Sequence, residues 1–159
     1  MWKIRKARSV LIPGLLAALT VSACAMTPER LPNLSRRFYY NLETDADQQQ
    51  FLNLKESERE AYLKQKGLWQ QWTALTAEQR NAALQGDIQV GFPAFAAFMA
   101  WGAPADSQGT SPGYHTFIRC TSGPKRGRYV KSNLDCDGTS SETKLTIVED
   151  RVSEIKHLN

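Results

Sequence analysis

The sequence predicts an α+β domain: several helices followed by a short antiparallel sheet of about three to four strands. Two observations carry this expectation. Between residues 44 and 102 apolar side chains recur at helical spacing, punctuated by cap residues. Between 113 and 157 the pattern changes to β-branched and aromatic residues in alternation, broken by turns that carry Gly and Pro. A third observation adds a constraint, because Cys120 and Cys136 both fall in the alternating part. The chain then divides into residues 1–23, a segment 24–43 read as a tether, and one domain over 44–159.

Residues 1–23 have the layout of a secretory signal. Lys3, Arg5, Lys6 and Arg8 form a basic start, and Val10 to Val21 an apolar run interrupted by Pro13 and Gly14. Those dozen positions fall short of the ~20 a bilayer-spanning helix needs. Val21-Ser22-Ala23-Cys24 closes the segment and resembles the lipobox of bacterial lipoproteins. The resemblance implies cleavage before Cys24, lipid on its sulfur, and an oxidising compartment. Ala25 stands where Asp would signal inner-membrane retention, which implies the outer membrane, facing the periplasm. The membrane is then the first partner, reached through the lipid on Cys24.

Cleavage changes the charge. The whole chain carries 20 Lys+Arg against 16 Asp+Glu, but all four signal charges are basic. The mature part therefore has 16 of each and no net charge, which removes the basis for a nucleic-acid partner. Mean hydropathy is negative and no second long apolar span follows, so a soluble mature body is expected. Some 136 residues suffice for one core. In an oxidising compartment Cys120 and Cys136 are expected to form a disulfide; their spacing fits neither a C-x-x-C redox pair nor a zinc pattern.

Residues 25–43 show no period, with Pro28 and Pro32 and scattered charge, and are read as the tether. Within it Arg36-Arg37-Phe38-Tyr39-Tyr40 offers either a head-group contact or packing of Phe38 and Tyr39 onto the domain. Thr44 with Asp45 and Asp47 behind it opens a helix holding Phe51, Leu52 and Leu54. Ser57-Glu58-Arg59-Glu60 starts a second, closed by Gly67. Leu68, Trp69, Trp72 and Leu75 make a helical stripe. Thr76 and Gln79 form a capping box for a helix that ends at Gly86.

Asp87 to Gly91 reads as a short strand or extended link. Phe92 to Trp101 is the most apolar mature stretch, with Pro93 suited to a first turn and Gly102 and Pro104 stopping the helix. It is too short for a membrane insert and is expected to be core. Tyr114–Cys120 and Arg128–Lys131 alternate around the turn at 122–127 and predict a hairpin. Asn133 to Ser141 is a loop stapled by Cys136. Lys144–Val148 and Arg151–Ile155 are the last strands, joined at Glu149-Asp150.

Val90-Gly91-Phe92, Ala100-Trp101-Gly102-Ala103-Pro104 and Leu145-Thr146-Ile147-Val148-Glu149-Asp150-Arg151-Val152 resemble the small outer-membrane β-barrel assembly lipoproteins of the SmpA/OmlA type. Phe92 stands where that family has Met, and Arg151 where it has a turn Gly. The resemblance implies a non-enzymatic scaffold or accessory subunit that holds an envelope protein partner.

Catalytic chemistry finds little to work with. His115 and His157 are the only histidines, and a strand His is more often structural. Ser111 and Ser132 lack a nucleophile motif. Asp135-Cys136-Asp137-Gly138 lacks the rest of a calcium loop, and Gly123-Pro124-Lys125-Arg126-Gly127 lacks phosphate-loop spacing. No catalytic residue, metal or cofactor is expected. Lys125, Arg126, Arg128 and Lys131 are the one local charge excess, either a solvated hairpin or a partner-binding patch. The alternatives to a scaffold are a periplasmic ligand-binding protein or inhibitor, using Trp69, Trp72, Phe95, Phe98 and Trp101 as a cavity lining, and, below these, an envelope hydrolase built on His115.

Overall fold

A computed structural model describes residues 26–158; residues 1–23, read from the sequence as a secretory signal, and Cys24 lie outside the described residues. A 3₁₀ turn over Pro28–Arg30 leads into six helices: α1 Asn33–Tyr40, α2 Asp45–Asn53, α3 Glu56–Gln65, α4 Leu68–Ala74, α5 Ala77–Gln85 and α6 Ala94–Trp101. Five strands follow: β1 Asp106–Gln108, β2 Gly113–Cys120, β3 Tyr129–Val130, β4 Ser140–Val148 and β5 Arg151–Leu158. This is the α+β layout the pattern predicts. No helix among the described residues is long and apolar enough to cross a membrane.

The helix boundaries follow local chemistry. Thr44 Oγ1 accepts from the Asp47 amide to cap α2. Thr76 and Gln79 close a reciprocal capping box on α5, at 3.2 and 3.0 Å. Gly67 and Gly86 take left-handed φ of 73° and 81° between helices, a region costly for any residue with a Cβ. The 87–91 link forms no strand. Its Ile88 is buried instead, and Gly91 and Phe92 bond the backbone of Val152.

The tether assigned to 24–43 needs correction. From Pro28 onward the chain is part of the domain, with Leu31, Phe38 and Leu42 buried in the common core. Phe38 packs against Trp69 and Trp72 at ring distances of 5.9 and 6.1 Å. Arg37 fixes the helix polarly, donating to the carbonyls of Met99 at 2.9 Å and Ala100 at 2.8 Å, and to that of Leu84. Those carbonyls belong to the last turns of α6 and α5, which have no intrahelical partners of their own. Asn41 adds a bond to Phe98 O at 2.9 Å. Eight residues with no strong cap are a marginal helix alone; tertiary contacts make this one stable.

The sheet is antiparallel, in the order β1-β2-β4-β5, and β3 pairs β2 on the same edge as β1. It therefore begins at Asp106, earlier than the 113 expected, because three polar residues are paired onto Tyr114–Thr116. The β4–β5 hairpin turns on Glu149 and Asp150, both at positive φ, although neither is the Gly such a turn favours. A bulge between Thr146 and Ile147 adjusts the register of β5. Phe117, Leu145, Ile147 and Val152 point into the core beneath α6, where Ala94, Ala96 and Ala97 permit close approach. Trp101 packs on Phe117 at 5.2 Å and donates its Nε1–H to Gly86 O at 3.1 Å.

Cys120 and Cys136 are joined, 16 residues apart, and both are buried. The bridge draws the 3₁₀ turn Asn133–Cys136 over the end of β2. Gly123 serves the same lobe. At φ +78° a Cβ there would meet Asp137 O at 2.6 Å and Cys136 O at 3.1 Å. Gly123→Ala is therefore expected to cost about 2 kcal/mol through strain and displaced backbone, read as a lower chemical-denaturation midpoint with unchanged m-value.

Candidate functional site

The amphipathic α1 meets the β2–β3 hairpin across a groove of about 830 Å³. Asn33, Arg36, Arg37 and Tyr40 recur at helical spacing on the groove side, while Leu34 and Phe38 face the core. The floor comprises the end of α6 with Trp101, on which Tyr129 stacks at 6.0 Å and 23°. Arg126, Arg128 and Lys131 form the opposite wall. Burial raises the Tyr129 hydroxyl pKa, and desolvation lowers that of Arg37.

The four hairpin cations do not act together. Lys125 is turned away from the groove and binds Asp137 at 3.4 Å and the Asp135 carbonyl, holding the disulfide lobe. Arg128 crosses to Glu29 at 3.3 Å. A backbone hydrogen bond, followed by Thr27, Arg128 and Arg36, holds the Glu29 carboxyl below its ordinary range despite opposing desolvation. Lys131 donates to Pro104 O at 3.0 Å. Arg126 is exposed and makes no ion pair among the described residues. The groove thus combines three expected cations with Arg36 and Tyr40, whose part the sequence signalled only through the spacing 33, 36, 37, 40.

A second surface is the face of the sheet turned away from the helices. Tyr114, Thr116, Lys144, Thr146, Glu154 and Lys156 lie on it, around a depression of about 290 Å³. Lys144 and Lys156 are direct cross-strand partners, an unfavourable pairing of like charge. Tyr114 is 53% exposed. From Ser153 to Leu158 β5 is the outer strand, with no partner beyond it among the described residues. Residues 91–93 guard only its beginning.

The histidines are tied to hydroxyls. His115 Nδ1 lies 2.9 Å from Ser107 Oγ and its ring stands edge-on to Phe98 at 5.4 Å. His157 Nδ1 lies 3.0 Å from Thr143 Oγ1. No carboxylate among the described residues bonds either ring, so the orienting acid of a hydrolytic triad is missing there. Burial lowers the His115 pKa, so the folded chain resists protonation that the unfolded chain accepts. Stability is therefore expected to fall as pH drops below about 6.5, the unfolded value, toward the lower folded one. His115→Gln should flatten that part of a denaturation-midpoint profile.

Asp135 caps the 3₁₀ turn by accepting from Ser132 N at 3.1 Å, and no cluster of three or more His, Cys, Asp or Glu side chains forms among the described residues. Of the aromatics read from the sequence as a cavity lining, Phe98 and Trp101 border the groove, while Trp72 and Phe95 are buried in the core and Trp69 packs against it. The chain matches no family model, no curated protein and no solved structure.

Proposed function

We propose that this protein is a lipid-anchored, non-enzymatic envelope lipoprotein that acts as a scaffold or accessory subunit for a protein partner, on the periplasmic side of the outer membrane. The observation that carries the binding role is the half-covered sheet. Helix α6 packs on one face with the other helices gathered behind it, while the other face and the outer edge of β5 keep polar groups, Tyr114 and free backbone available. An open edge supplies main-chain hydrogen bonds to an added strand, and alternate side chains supply selectivity. Lys156 and Glu154, both on β5, restrain indiscriminate pairing at that edge. Anchorage is supported by the basic start, the apolar run and Val21-Ser22-Ala23-Cys24.

Crosslinking in the native envelope followed by mass spectrometry tests the role. Specific adducts to one protein through residues 114 or 153–158 are expected, and Lys156→Asp should weaken them. A monomer without crosslinked partners would refute the scaffold. Labelled palmitate should enter the wild type and fail to enter Cys24→Ser; equal labelling would refute the anchor.

A further inference from the structure

We propose that the end of the domain where the chain enters, made by Pro28–Arg30, the first turns of α1 and the β2–β3 hairpin, lies against phospholipid head groups. This rests on lipid attachment at Cys24, the anchor of the proposed function, and adds which face of the body meets the bilayer.

Covalent reach is the first support. Structure begins at Pro28: Leu31 N bonds Pro28 O at 3.1 Å, Leu31 is 4% exposed, and Glu29 is bridged to Arg128. Only Ala25, Met26 and Thr27 separate that turn from Cys24. Four fully extended residue steps span at most about 14 Å. A domain of this size has a radius of gyration near 14 Å, so its diameter exceeds the available leash. Held this closely, the body cannot stand clear of the surface; its entering end must rest there. Met26, exposed and apolar, sits two residues from the anchor.

Charge is the second. Arg30, Arg36, Arg126, Arg128 and Lys131 cluster at this end; of the acids beside them Glu29 is paired with Arg128 and Asp137 with Lys125, which leaves the cations in excess. Glu43 and Asp45, the other acids of the groove, follow the far end of α1, about 12 Å along an eight-residue helix. In a mature chain with no net charge, this is a local asymmetry. Guanidinium groups match lipid phosphates in both charge and hydrogen-bond geometry. The arrangement also leaves β5 on the far side, three strand spacings or roughly 14 Å from the β3 edge, where a partner could reach it.

The test uses the lipoprotein purified from membranes in non-ionic detergent and reconstituted into phosphatidylethanolamine–phosphatidylglycerol vesicles. Mass spectrometry of the N-terminal peptide reports the lipid separately. Amide hydrogen exchange is expected to slow several-fold on vesicles for segments 29–37 and 125–131, relative to detergent, and to stay unchanged for 77–85 and 153–158. Arg30→Glu combined with Arg126→Glu should abolish the slowing while thermal stability is retained, since neither side chain makes a bond among the described residues. Lipid on Cys24 with no slowing, slowing spread equally to 153–158, or slowing that survives the charge reversal would overturn the proposal and leave the anchor intact. Slowing in native envelopes but not in pure lipid would overturn it in favour of a protein contact. An unmodified Cys24 would remove the anchor and this orientation together.

Discussion

Arg37→Met is expected to destabilise the domain by about 3 kcal/mol, because it strips three carbonyl acceptors of their donor while keeping the aliphatic stem. The acceptors, on Leu84, Met99 and Ala100, end two different helices and have no other capping side chain among the described residues. One guanidinium serves all three through its planar fork; an ammonium is a single point donor. Arg37→Lys should therefore recover only part of the loss. For a domain of this length the methionine variant should lower Tm by roughly 10 °C. Exchange protection should drop first in α1. A variant as stable as the wild type would mean that the three bonds contribute nothing net.

Opening the Cys120–Cys136 bridge should have an effect of similar size. A loop of about 15 residues corresponds to roughly 3 kcal/mol in the chain-entropy description. Both sulfurs are buried and the bridge is the main fastening of a polar loop with little core of its own. Cys120→Ala with Cys136→Ala should lower the thermal midpoint by roughly 10 °C, as should a reductant on the wild type. The reductant should leave the double variant unchanged. Proteolysis should then begin within 121–139, because Lys125 loses a fixed Asp135 carbonyl and Asp137.

The helices from 45 to 101 were legible because their signals are local: Thr44 and Thr76 cap within three residues, and Gly67, Gly86 and Gly102 end turns where they stand. The β2–β3 and β4–β5 hairpins were legible from alternation. Helix α1 was not, since its stability comes from acceptors 47 to 63 residues away. Strand β1 was hidden because Asp106-Ser107-Gln108 has no strand composition and is held by its neighbour β2. The groove was half visible. The basic hairpin was singled out, but its opposite wall meets it through a pair 99 residues apart, Arg128 and Glu29, which no spacing rule reveals. Lys125 looked equivalent to Arg126 in the sequence and is separated from it by the direction in which the turn aims each side chain.

The absence of slack between Thr27 and α1 has a mechanical consequence. Traction applied at the N-terminus would reach the folded body within a few residues and enter it through the Pro28–Arg30 turn. The load would then divide between the Glu29–Arg128 bridge to the hairpin and the Arg37 and Asn41 bonds to α6. Helix and sheet would thus share the strain from the outset, and the domain would yield as one unit instead of paying out its first helix.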